Sequence, residues 1–238
     1  MQIDISGKSI GQKPVLGRIK LTLAEGEVLA LTGPSGIGKT TLARLIAGLE
    51  PAKDSNISET GRIGMVFQEP TLLAWRNVID NICIATGCDA AAARKALDNV
   101  ELGDRCDAFP LQLSLGQQRR VALARALAAR PDTLILDEAF ASLDEATAAR
   151  MRDLTRRILE GAGFRTLLIT HNLDDAAELA DRVLLLGGSP AQILTEHRVN
   201  EPRKALDRSA EIETIRAKQR AASDGKAEQN KPEMTGSQ

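Results

Sequence analysis

The chain has 238 residues, 43% of them hydrophobic and 26% charged, with a formal net charge of −1. That length and apolar content suffice for a packed α/β core, and the balanced charge leaves no cationic field for a nucleic-acid partner. No apolar run approaches the ~18 residues of a membrane-spanning helix, and Met1-Gln2-Ile3-Asp4 opens no signal peptide, so the expected setting is cytoplasmic.

The first strong element is Val28-Leu29-Ala30-Leu31, an apolar run that reads as a buried strand. It enters Gly33-Pro34-Ser35-Gly36-Ile37-Gly38-Lys39-Thr40-Thr41, after which Leu42, Leu45 and Ile46 recur at helical spacing up to Gly48. Strand, glycine-rich loop and helix in that order form a P-loop. Its glycines let backbone N–H groups face phosphate oxygens at a helix N-terminus. Lys39 then reaches the β- and γ-phosphates, and Thr40 is placed to ligate Mg²⁺.

Further apolar runs at 63–67, 133–136, 166–170 and 183–186 alternate with helical patterns, which predicts a parallel sheet with crossover helices. Between the second and third strands, roughly 71 to 130 reads as almost wholly helical. It holds an alanine-rich stretch at 89–99 and a second helix over Gln117 to Ala129, whose buried face includes Val121, Leu123, Ala124 and Leu127. Cys83, Cys88 and Cys106 are odd in number and lack CxxC spacing, so they read as reduced apolar residues, neither paired nor ligating. At 133–138 the run Thr-Leu-Ile-Leu delivers Asp137 and Glu138 to the carboxyl end of a strand, where ligands sit in open α/β sheets. Asp137 suits hydrated Mg²⁺, and Glu138 suits a water attacking the γ-phosphate. From Asn200 onward the chain turns polar and charged, which reads as a flexible tail with helical character near 205–221.

Three more segments carry a family resemblance: Gln68 after Ile63–Phe67, Leu113-Ser114-Leu115-Gly116-Gln117-Gln118-Arg119, and His171 after Leu167–Thr170. With the P-loop, the acid pair and Ala141-Ser142-Leu143-Asp144, they resemble in content and order the nucleotide-binding subunit of an ABC transporter, over about residues 3 to 198. The resemblance implies a P-loop NTPase (RecA-like) core of 1–68 and 131–199. It also implies an inserted helical subdomain at 69–130, a small trimmed antiparallel β-subdomain, since Glu50 to Gly61 is short, and a charged tail at 200–238. It further implies a head-to-tail dimer, expected to be a homodimer, with ATP between the P-loop of one copy and Ser114, Gly116 and Gln117 of the other. Gln68 would touch Mg²⁺ and the attacking water, His171 would hold Glu138 and that water in line, and Asp144 would couple the two sites.

Glu69-Pro70-Thr71-Leu72-Leu73-Ala74-Trp75-Arg76-Asn77-Val78 is similar in wording to nitrate, sulfonate and taurine importer ATPases. The likeness implies permease docking by Leu72, Leu73 and Trp75 at the inner face of the cell membrane, with a solute-binding protein acting indirectly. A Trp75 packed inside the helical subdomain is the competing reading. The chain departs from the family pattern at Leu115, where the first signature glycine is usual, at Ala139 for proline and at Asn172 for an acid. It also departs at Ile10, which aligns where an aromatic usually stacks on adenine. A soluble ABC-type ATPase and a small-molecule P-loop kinase remain the alternatives; the kinase leaves Leu113–Gln118, Asp144 and His171 without roles.

Overall fold

The computed structural model describes residues 1–51, 53, 55–58, 61–200 and 208–229, with side chains up to 221. Four short strands open the chain: β1 (Gln2–Ile5), β2 (Lys8–Ile10), β3 (Lys13–Leu16) and β4 (Ile19–Thr22). β5 (Val28–Thr32) and helix α1 (Lys39–Ile46) flank the glycine-rich loop, and β6 (Asn56–Ser58) and β7 (Ile63–Val66) follow. Three helices come next: α2 (Val78–Thr86), α3 (Ala90–Asn99) and α4 (Leu115–Ala128). The chain then alternates through β8 (Thr133–Asp137), α5 (Glu145–Leu159), β9 (Arg165–Ile169), α6 (Leu173–Leu179), β10 (Arg182–Gly187) and β11 (Gln192–Arg198), before α7 (Ser209–Gln229).

The main sheet has the order β11-β10-β5-β9-β8-β7, parallel except for β11 on its edge. Its inner strands are buried on both faces, which is why β5 and β8 read as continuous apolar runs. Side chains alternate across the sheet. Leu29, Leu31, Ile135, Leu167 and Ile169 pack with Leu42, Leu45 and Ile46 of α1 and with the antiparallel strands. Val28, Ala30, Leu134, Leu136 and Leu168 face the opposite side, in one core with α2 to α6.

The antiparallel subdomain is the three-stranded sheet β4-β1-β6 beside the hairpin β2-β3. Ile3 opposite Leu21 and Ile5 opposite Ile19 supply its buried face. Helix starts follow local chemistry: Asn77 accepts from Asp80 N at 2.8 Å and Asp89 from Ala92 N at 2.8 Å, capping α2 and α3. α4 begins at Leu115, two residues before the stretch that periodicity marks, because Ser114 and Gln117 form a reciprocal capping box. In the region read from sequence as a tail, residues 201–207 and 230–238 lie outside the described ones. Between them α7 contacts α6 and β11 and buries Ile215. No helix among the described residues is long and apolar enough to cross a membrane.

Candidate functional site at the carboxyl edge of the sheet

Register decides which residues meet. Leu31 pairs with Ile169, Asp137 with Ile169, and Val66 with Leu136. The segments beyond those pairs therefore emerge together, bringing the P-loop, Asp137-Glu138, His171 and Gln68 to one edge.

The loop demands glycine at two points. Gly33 has φ +145°, and a Cβ there would lie 2.6 Å from the Leu186 carbonyl oxygen. Gly38 has φ +109°, and a Cβ would lie 2.7 Å from Leu16 Cδ2. As the N-cap of α1, Gly38 offers no capping side chain, so the first-turn amides of Lys39, Thr40 and Thr41 keep their donors for a ligand.

Lys39 is only 6% exposed and folds back over the loop, its Nζ donating to Gly33 O at 2.8 Å and Pro34 O at 3.1 Å. Glu138 Oε1 lies 4.0 Å away. Burial pushes the Lys39 pKa down, opposed by Glu138 and Asp137. Thr40 Oγ1 donates to Asp137 Oδ1 at 3.1 Å, and burial pushes that carboxyl up, opposed first by the Thr40 hydrogen bond. A buried ammonium and a buried carboxylate, each disfavoured by desolvation, are the groups that a polyphosphate with its cation would satisfy together. The donor set fits a hydrated divalent ion, since hydroxyl and carboxylate oxygens suit Mg²⁺.

Glu138 sits in the left-handed region at φ +51°. That backbone is held from two sides. Its N–H donates to Ile169 O at 2.9 Å, and Arg119 Nη1 donates to Ala139 O at 2.6 Å and to Glu138 O at 3.4 Å. A strained backbone persists where its surroundings over-determine it. The outcome is a carboxylate aimed at the His171 ring, with Glu138 Oε2 2.7 Å from His171 Nδ1. Arg119 is 3% exposed, and the sequence assigns it no role. Its signal was limited to a basic residue on the first turns of an otherwise apolar helix face.

The signature residues stand apart from this cluster. Among the described residues no hydrogen bond or ion pair joins Ser114, Gly116 or Gln117 to the P-loop. Ser114 Oγ accepts from Gln117 N at 3.3 Å and Gln117 Oε1 accepts from Ser114 N at 2.9 Å, so the Gln117 carbonyl is engaged in the cap. A Cβ on Gly116 would come 2.8 Å from Thr147 Cγ2, which packs the start of α4 against α5. Asp144 caps α5, accepting from Thr147 N at 3.0 Å, and the Thr147 hydrogen bonds hold its carboxyl below the usual range.

Ile10 is 58% exposed and lines a cavity of about 370 Å³ with Lys13, Val15, Gly36 and Ile37, beside the P-loop. Trp75 is 72% exposed, which overturns its packing inside the helical subdomain. Leu72 instead lies against the core, and Leu73 is half-buried. The loop that carries the ring is braced by hydrogen bonds. Buried Asn81 accepts from Leu73 N at 2.6 Å and donates to Leu73 O, Arg76 O and Asn77 O, while Arg125 donates to Pro70 O and Thr71 O.

A P-loop, a strand-end acid pair and a histidine on the second acid, all on a parallel sheet, define an ATPase of the P-loop class. The ABC transporter family model matches residues 16–141. The aliphatic sulfonates import ATP-binding protein SsuB 1 of Xanthomonas axonopodis pv. citri is 41% identical over 91% of this chain and 92% of its own. SsuB 2 of Frankia alni is 45% identical over 75% and 74%. A dimeric bacterial ABC transporter cassette of known structure is 25% identical with a TM-score of 0.73, covering 84% of this chain and 99% of its own. The chain belongs to the ABC transporter family and is one of its ATP-binding, ATP-hydrolysing subunits.

Proposed function

We propose that two copies of this chain close head to tail on ATP and drive import of an aliphatic sulfonate through a membrane permease. The observation that carries the ATPase half is the meeting of Lys39, Thr40, Asp137, Glu138 and His171 at one sheet edge. The import half rests on the relatives, which are importer subunits by name along most of their length; a soluble ABC ATPase finds no such support.

In this reading the P-loop amides of 33–41 and Lys39 bind the β- and γ-phosphates, and Thr40, Asp137 and Gln68 hold Mg²⁺, which neutralises developing phosphate charge. Glu138 accepts a proton from the attacking water, and His171 keeps its carboxylate in line. The partner copy supplies Ser114 and the Gly116 amide at the N-terminus of α4, where the helix dipole favours the γ-phosphate, and Asp144 couples the two sites. Gln117, whose side-chain carbonyl is engaged in the cap, keeps its NH₂ to donate in trans. Residues 1–68 and 131–199 form the ATP-binding core and 69–130 the helical insertion, while the charged stretch from 200 onward is tethered to the core by α7 and is not a free tail.

Adenine is assigned to the cavity of Ile10, Val15 and Ile37. Aliphatic contact scarcely distinguishes purines, so ATP and GTP are expected to support hydrolysis within about tenfold of each other, a difference of about 1.4 kcal/mol. Parallel steady-state assays check this; a strong ATP preference places the base elsewhere.

Docking to the permease at the inner membrane face is assigned to Trp75, an amphipathic ring held out on a braced loop, with Leu73 beside it and Leu72 anchoring the loop to the core. A solute-binding protein delivers the sulfonate to the permease and does not touch this chain. Trp75→Ala is expected to leave the subunit folded and its basal ATPase intact. Loss of an aromatic anchor costs about 2 kcal/mol or more, roughly thirtyfold in affinity, so co-purification with the permease from detergent extracts should fail. Unimpaired co-purification moves the docking surface away from Trp75.

A further inference from the structure

We propose that Arg152, Asp175 and Thr170 form a positioning relay that fixes the His171 turn against Glu138 and ties it to the Asp144 turn. The relay rests on the reading of Glu138 and His171 as the pair that positions water.

Arg152 lies in the middle of α5, and its side chain and that of Asp175 are each 4% exposed. Three carboxylates surround its guanidinium: Glu145 Oε1 at 2.7 Å, Glu178 Oε2 at 2.9 Å and Asp175 Oδ1 at 3.4 Å. Glu145 directly follows Asp144, the cap of α5. Asp175, on the first turn of α6, uses its second oxygen on the other side, accepting from Thr170 Oγ1 at 2.7 Å. Thr170 Oγ1 in turn accepts from Asn172 N at 3.0 Å.

Charge gives this chain of bonds a direction. Beside Arg152 the ionised Asp175 can only accept, so the Thr170 hydroxyl must donate to it, which leaves its lone pairs for the Asn172 amide. His171 is therefore the middle residue of a turn closed by that hydroxyl. Its strand side is fixed as well, because Thr170 N donates to Leu31 O at 3.2 Å.

Stability alone is a poor account of these groups, because apolar residues of similar volume commonly replace a buried ion pair without loss. What the ionic arrangement supplies is geometry: one guanidinium holds Glu145, beside the Asp144 cap of its own helix, and Asp175, which in turn holds the hydroxyl that closes the His171 turn. The arrangement also responds to pH. Burial pushes the Asp175 carboxyl up to about 6, opposed by Thr170 and Arg152 and reinforced by Glu178 of its own helix. Glu145 bears on it from across the guanidinium. Protonated, Asp175 no longer compels the hydroxyl to donate. The hydroxyl then turns to Asn172 O, 3.4 Å away, and the bond that holds the Thr170 side chain to α6 is lost.

The test is steady-state ATPase kinetics of Thr170→Val, Thr170→Ser and Asp175→Asn in the full chain, with thermal melts as a check on folding. Misplacing a reacting group by about 1 Å costs up to the order of 100-fold in rate. Thr170→Val and Asp175→Asn should lower kcat by about tenfold or more while the KM for ATP stays within about twofold, and Thr170→Ser should restore most of kcat. The wild-type kcat should fall through a step near pH 6 on acidification, and that step should be missing in Asp175→Asn. Wild-type kcat in whichever of Thr170→Val and Asp175→Asn folds overturns the relay, as does an unchanged pH step. Glu138→Gln and His171→Ala run beside them. If those two also turn over normally, the underlying site assignment has failed; if they are dead while the relay variants are not, only the relay has.

Discussion

Glu138→Gln is expected to bind ATP as the wild type does, to hydrolyse it about 10²- to 10⁴-fold more slowly, the range of a lost general base, and to accumulate as an ATP-held dimer. The substitution is nearly isosteric. It keeps the bonds from Glu138 N to Ile169 O and from Arg119 to the Glu138 and Ala139 carbonyls, so the left-handed turn should persist. Every phosphate contact assigned to Lys39, Thr40 and the loop amides also stays. What disappears is the charged acceptor 2.7 Å from His171 Nδ1. Without it water is bound but not activated, and the closed dimer outlives the assay. Phosphate release measures the first effect and size-exclusion chromatography with ATP the second. Wild-type turnover would take Glu138 out of the mechanism.

Lys39→Ala is expected to act one step earlier and abolish binding. The Nζ now satisfied by Gly33 O and Pro34 O is the only basic side chain in Gly33–Thr41. Charge-assisted hydrogen bonds contribute about 1.5–3 kcal/mol each, and two such bonds to phosphate oxygens correspond to roughly 10²- to 10⁴-fold in affinity. Burial already disfavours the charge of this lysine, so an anion that pairs with it gains more than one at an exposed ammonium. Removing the side chain leaves the glycines and their amides untouched, which separates a binding defect from a collapsed loop. Fluorescent-nucleotide titration reads it, and unaltered affinity means that the phosphates sit elsewhere.

The parts of this fold that sequence made legible are those with one dominant physical cause. β5, β8, β9 and β10 are buried on both faces and so print continuous apolar runs, and β7, half-buried on the sheet edge, is still apolar along its length. The P-loop prints glycines because its backbone has no space for side chains at Gly33 and Gly38. The antiparallel strands are three or four residues long, and β11 is half-exposed on the sheet edge without an apolar run. Their existence depends on partners distant in the chain, so no local pattern announced them individually.

The hidden part of the site is ionic. Arg119, Arg152 and Asp175 are ordinary charged residues on helices until tertiary packing buries them, and composition treats each as solvated. Gln117 carries two signals at once: its motif position implies a contact in trans, and its place three residues after Ser114 makes the capping box that engages its carbonyl. Trp75 ran the other way, an aromatic ring that tertiary structure leaves in solvent.

The most direct test of the whole account is uptake of a labelled short alkanesulfonate by cells of the source organism lacking this chain, complemented with wild-type, Glu138→Gln or Trp75→Ala protein. Deletion should abolish uptake and the wild type should restore it, whereas neither variant should, one for want of hydrolysis and the other for want of a permease. Undiminished uptake in the deleted cells, or full restoration by Glu138→Gln, would contradict the account.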